Sequence, residues 1–247
     1  MAIRYHTLGV AYYAQGQYDP AIEYYQQALP IWRHSLEVNH QNVAFCLNNL
    51  AVAYKSQQNF IKAIECYEDA LSIRLSTLGP NHANVGTSYT NLGLAYKSNR
   101  DHDQAIQCFE SALAIRISSL GPDHKNLITD YYNIINECCA KGDFECALKN
   151  LELVLPIMIV STNLQNRDVI TTLELLGRLY GIQCDFDRSI DYYERAIVSM
   201  LDNCNVPSSQ LSACYNNIGK AYEMKGLIDI AAEFFERART LSGSVLE

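Results

Sequence analysis

Three cysteines, Cys138, Cys139 and Cys146, with Glu137 and Asp143 beside them, form the densest group of potential ligands and nucleophiles in this 247-residue chain. They could hold zinc or supply a thiolate, yet no C-x-x-C pair occurs among them, and adjacent residues on a helix point about 100° apart. Core filling is the reading this geometry favours, because a free cysteine packs as a small apolar side chain. Three histidines, His40, His82 and His124, recur at intervals of 42 residues. A metal would need them in one shell, whereas that spacing puts them on successive loops, so they read as loop-packing residues. Sequences that cradle phosphate (G-x-x-x-x-G-K-S/T), bind dinucleotides, hold a hydrolytic zinc (H-E-x-x-H) or form a serine elbow (G-x-S-x-G) do not occur. No enzymatic activity, cofactor or metal site is therefore expected.

A fourth set of polar residues is more regular. Asn49, Asn91, Asn133 and Asn217 each stand immediately before a recurrent apolar position, with Thr7 and Leu175 in the two remaining copies. A short amide can donate to a backbone carbonyl and accept from a backbone N–H at once. A ladder of amides at one-repeat spacing thus suits an extended peptide held by its main chain. Amides that cap or bridge neighbouring helices are the structural alternative.

The element that must carry these residues is itself repeated six times. The apolar anchors are Leu8, Leu50, Leu92, Ile134, Leu176 and Ile218. The next position is small in five copies (Gly9, Ala51, Gly93, Gly177, Gly219), and three residues further stands Tyr12, Tyr54, Tyr96, Tyr180 or Tyr222. Thirteen residues past the anchor comes Ala21, Ala63, Ala105 or Ala147, with Ser189 in the fifth copy and Ala231 in the sixth; four later comes Tyr25, Tyr67, Phe109, Leu151 or Phe235. A second alanine closes most copies: Ala28, Ala70, Ala112, Ala196 and Ala238. Small residues let two helices approach, and large ones fill the layer between successive pairs. This pattern resembles the tetratricopeptide repeat over essentially the whole chain. The 42-residue period, the runs Leu78-Gly79-Pro80-Asn81-His82 and Leu120-Gly121-Pro122-Asp123-His124, and a degraded Val38-Asn39-His40 are similar to the kinesin light chain type. In those runs Gly is expected to form a left-handed helix cap, Pro to stop the helix, and Asn or Asp to cap the next one.

The resemblance implies an all-α, right-handed superhelical solenoid of six antiparallel helix pairs, a single array over 1–247 with repeats near 2–43, 44–85, 86–127, 128–169, 170–211 and 212–247. It also implies that the first helix of each pair lines a concave groove. On that face lie Phe45, Asn48, Asn49, Val52 and Lys55, then Thr87, Thr90, Asn91, Leu94 and Lys97, then Thr129, Tyr132, Asn133 and Asn136, with Arg178, Asn217 and Lys220 in later copies. Asn48-Asn49-Leu50-Ala51 and Asn91-Leu92-Gly93 match the context in which such repeats touch peptide. No acid interrupts the first three groups, while Glu174 and Glu223 oppose the later cations. A basic strip suggests a ligand carrying Asp or Glu; lysines on a solvated helix face are the alternative. The carboxylate clamp of chaperone-binding relatives is not matched, since His6 and Val10 stand where Lys and Asn would be needed. In the fourth copy Ile135 and Val154 replace small residues and should alter the local helix spacing.

Composition narrows the function further. A net charge of −8 and only 19 basic residues argue against nucleic acid. No run of 18 apolar residues, signal peptide or N-x-S/T sequon occurs, and nine cysteines at helical positions fit a reduced, cytoplasmic chain. Both ends lack a polar capping helix, which points to a segment of a longer protein or to self-association through the uncapped ends. The expected function is a non-catalytic protein-interaction scaffold or adaptor that binds an extended acidic peptide. A regulatory or sensor array inside a larger enzyme or signalling ATPase, and a self-assembling scaffold, are the alternatives.

Overall fold

The computed structural model describes residues 1–35, 41–162, 167–201 and 207–243; His40 and its neighbours Val38 and Asn39 lie outside them. All regular structure among the described residues is helical. The helices are α1 (Ala2–Ala14), α2 (Tyr18–Ser35), α3 (Gln41–Ser56), α4 (Phe60–Leu78), α5 (Ala83–Ser98), α6 (His102–Leu120), α7 (Ile128–Lys141), α8 (Phe144–Thr162), α9 (Arg167–Ile182), α10 (Phe186–Leu201), α11 (Ser208–Met224) and α12 (Ile228–Gly243), with one 3-10 turn at Lys125–Leu127. The chain divides into two compact units, Met1–Gly142 and Asp143–Glu247. In the first, α1 pairs with α2, α3 with α4 and α5 with α6, and α7 packs on α6. In the second, α8 packs on α9, and α9 pairs with α10 and α11 with α12. The first helices of the second and third repeats begin at Gln41 and Ala83, three residues before the boundaries drawn at 44 and 86.

The pairs close because a ring needs the space that a missing side chain leaves. A methyl added at Gly93 would lie 2.7 Å from the Phe109 ring, and one added at Gly219 would lie 2.6 Å from Phe235. Those rings sit over bare backbone at the crossing, as the small-then-aromatic spacing requires. Ser189, which replaces alanine, is accommodated by donating its hydroxyl to the Gly177 carbonyl at 2.7 Å. Five of the six anchors are buried, whereas Leu8 is 42% exposed because α1 has no helix pair before it to close the layer. Ile135 and Val154, the enlarged positions of the fourth repeat, are both buried.

The connections differ in detail from expectation. Gly79 and Gly121 take positive φ (81° and 89°), but their ψ is extended (163° and 158°) rather than left-handed. The following prolines account for this, since Pro pushes the residue before it towards extended ψ. The cap of the next helix comes from the histidine, not from Asn81 or Asp123. His82 Nδ1 accepts from the Asn84 backbone N–H at 3.1 Å, and His124 Nδ1 accepts from that of Asn126 at 3.1 Å.

Six described cysteines are free thiols, Cys46, Cys66, Cys108, Cys139, Cys184 and Cys214. Cys138 and Cys146, expected to be reduced core filler, are instead disulfide-bonded. Sequence spacing carries no information about which sulfurs meet in space. No helix among the described residues is long and apolar enough to cross a membrane.

Candidate functional site

With 3.6 residues per turn, the positions five, two and one before each anchor and two and five after it fall on one side of the first helix. In the first unit, α3, α5 and α7 leave all of these side chains half-buried or exposed: Phe45, Asn48, Asn49, Val52 and Lys55; Thr87, Thr90, Asn91, Leu94 and Lys97; Thr129, Tyr132, Asn133 and Asn136. Intervening residues such as Cys46, Leu47, Ala51 and Ala95 are buried. The periodicity therefore separates a polar face from the core.

On that face the amides also join one first helix to the next. Asn91 donates its Nδ2 to Asn48 Oδ1 at 3.0 Å, linking α5 to α3. Asn49 Nδ2 lies 2.9 Å from His6 Nε2, linking α3 to α1. Each bridge uses one N–H of a side chain that has two, together with a carbonyl oxygen. His6 is set among aromatic rings, with centroids 5.4 Å from Tyr25, 5.3 Å from Trp32 and 5.2 Å from Phe45. Burial there holds its imidazole below the ordinary value of 6.5.

The cations of the face are not equivalent. Lys97 Nζ lies 3.0 Å from the carboxylate of Glu137, whose side chain is 2% exposed and which also takes His102 Nδ1 at 2.8 Å. Glu137 stands three past its anchor, where three other copies have Ala53, Ala95 and Ala221, and His102 stands where Phe60, Phe144 and Phe186 stand in other copies. The two departures meet each other, so an acid does reach Lys97. Lys55 has no ionic partner among the described residues.

Two arginines that the sequence reading passed over also reach this region from the second helices. Arg116, near the end of α6, pairs with Asp130 of α7 and donates Nη2 to Thr90 Oγ1 at 2.9 Å. Arg74 has the same place in α4, 24 residues past its anchor, and donates Nη1 to Ser88 Oγ at 2.5 Å. Among the described residues no carboxylate pairs with Arg74, and burial lowers its pKa from 12.5. Asp130 keeps one oxygen, Oδ2, without a partner among the described residues, and burial outweighs Arg116 in pushing its carboxyl up. The signal that could have found this contact is a pair of columns in the repeat. Residues 24 past the anchor meet those four before the next anchor, so that Arg74 faces Ser88, Arg116 faces Asp130 and, in the second unit, Met158 faces Thr172.

In the second unit Arg178 and Asn217 join Thr171, Glu174, Leu175 and Tyr193 around a depression of about 270 Å³. Lys220 joins the same two residues at a neighbouring depression of about 230 Å³. Glu174 is held by Gln210 Nε2 at 2.8 Å and by Cys214 Sγ at 3.3 Å, and Asn217 donates to the Tyr193 hydroxyl. Among the described residues no group of three His, Cys, Asp or Glu side chains is placed to hold a metal.

A family profile described as tetratricopeptide repeat matches residues 1–76, 47–118 and 92–158. No curated protein matches the chain. Among solved structures, kinesin light chain nearly identical TPR-like repeats from Podosopora anserina superpose with a TM-score of 0.62 at 20% identity, covering 86% of this chain and 100% of that one. BtubC (BKLC) from P. vanneervenii gives a TM-score of 0.59 at 21% identity over 93% of this chain and 90% of that one. The apo form of RapI gives 0.57 at 16% identity, over 99% and 84%. At these identities the likeness is one of fold.

Proposed function

The chain belongs to the tetratricopeptide repeat family, and from that premise we propose that it is a non-catalytic interaction scaffold whose first-helix face holds an extended acidic peptide. Main-chain contacts come from Asn48, Asn49, Asn91, Asn133 and Asn136, aided by Thr87, Thr90 and Tyr132; Val52 and Leu94 offer apolar contact. In the second unit Arg178, Asn217 and Lys220 play the same part for a peptide lying there. Charge recognition centres on Lys55 and on Arg74, with Lys97 shared between the ligand and Glu137. A cytoplasmic setting belongs to the proposal and rests on the free thiols.

The observation that carries this reading is Arg74. Its homologue Arg116 is matched by Asp130 from the same protein, whereas Arg74 meets only the Ser88 hydroxyl. A half-buried guanidinium without a counter-charge favours a ligand that brings a carboxylate, and its planar fork suits that group. Selection of peptides from an unbiased library tests it. Enrichment of Asp or Glu is expected, and Arg74→Gln should weaken the selected peptide by about tenfold while its Asp-to-Asn analogue is unaffected. Selection of basic peptides, or equal loss for both analogues, would overturn the acidic specificity.

A further inference from the structure

A cavity of about 670 Å³ lies in the first unit between the second helices α4 and α6, floored by α5. It shares no residue with the peptide face. Leu71, Leu75, Leu92, Tyr89 and Tyr96 form its apolar lining, Ser72, Gln104 and Ser111 its rim, and Glu68 is its one charged residue. Such a volume, apolar with a few polar groups, falls within the usual range for small-molecule sites of about 300–1,000 Å³.

Comparison with the other junctions tells what is missing here. At the same register between the first and second pairs, Leu75 is replaced by Arg33 and Ser111 by Asp69, and these pair across the opening at 3.7 Å. There too Gln104 is replaced by Lys62, whose Nζ lies 5.4 Å from the centroid of the Tyr54 ring. Long side chains thus roof that junction. In the last pair the place of Cys108 is taken by Phe234, whose ring lies 6.2 Å from Tyr215 and 5.4 Å from Tyr222. Tyr215 and Tyr222 correspond to Tyr89 and Tyr96. The cavity therefore exists because a small thiol and a serine stand where a ring or an ion pair closes other junctions. Burial pushes the Cys108 thiol up to about 12, so it is a neutral wall rather than a nucleophile.

We propose that this cavity binds a small, planar aromatic molecule bearing an amine, its ring lodged between Tyr89 and Tyr96 in the place Phe234 takes in the last pair, and its ammonium facing Glu68. Glu68 accepts the Tyr96 hydroxyl through Oε1 at 2.6 Å and has Oε2 to offer. Ring pairs at centroid separations of about 4.5–7 Å are favourable, and the carboxylate sets the sign of charge.

Tryptamine and indole-3-acetate, which share a ring and differ in charge, are the probes, read by saturation-transfer NMR and calorimetry on the full chain. Tryptamine is expected to bind one site and to bind it roughly tenfold more tightly than indole-3-acetate. Glu68→Gln should equalise the two. Leu75→Arg with Ser111→Asp rebuilds the roof of the preceding junction and should abolish binding while circular dichroism reports unchanged helicity; Cys108→Phe, which supplies the absent ring, should do the same. Equal affinity for both probes in the parent, no saturable binding of either, or full binding by both the roofed and the ring-filled variants would overturn the proposal.

Discussion

Arg74 and Arg116 occupy one place in two successive repeats, yet one is a free-standing cation and the other half of an ion pair. The difference lies 14 residues downstream, where Ser88 faces the first and Asp130 the second. A serine satisfies a guanidinium's geometry without its charge, so the first junction keeps an appetite for an anion. An aspartate satisfies both, and the second junction becomes structure. One repeat position can thus serve recognition or cohesion, depending on a single residue of the next helix.

The largest expected effect comes from removing each arginine in turn. Arg116→Met strands Asp130, whose side chain is 4% exposed, and should cost about 3 kcal/mol in denaturant unfolding followed by circular dichroism. Arg74→Met removes one hydrogen bond to a neutral hydroxyl and should cost about 1 kcal/mol or less. Equal losses would erase the distinction between the junctions.

Ser88→Asp makes the first junction resemble the second. Its carboxylate occupies Arg74 from within, so affinity for an acidic peptide should fall by about tenfold while stability changes by about 1 kcal/mol or less. Undiminished peptide binding, measured by fluorescence anisotropy, would show that Arg74 does not read the ligand's charge.

The smallest effect is a pH dependence confined to the second junction. Burial raises the Asp130 carboxyl above its ordinary 3.8 despite Arg116. A raised acid holds its proton more tightly folded than unfolded, so its contribution is full below 3.8 and is lost as pH rises through the folded value. Relative to Asp130→Asn, the parent should lose stability across that window. Ser88→Ala, compared with the parent in the same way, should show no such slope.

Much of the fold was legible in the chain. The anchors, the glycine facing Phe109 and the glycine facing Phe235 are complementary in size at fixed spacing, and such complements act between neighbouring helices. Capping was half legible: the turn after Leu78 was located, but Pro80 shifted Gly79 out of the left-handed region and moved the cap to His82. The candidate face was legible as a set of positions and not as a set of charges. Lys97 reads as a free cation until Glu137, 40 residues on, is brought to 3.0 Å.

The sequence by itself determined the repeat, the helix pairing, the division of each first helix into buried and open sides, and the family. All of these follow from periodicity and local sterics, which depend on residues near one another in the chain. Only the tertiary structure decided which cations are neutralised, which amides bridge helices, which sulfurs are bonded and where a cavity stays open. Those outcomes depend on distances across helix junctions, where a few ångströms and the exclusion of water separate a paired charge from one that awaits a ligand.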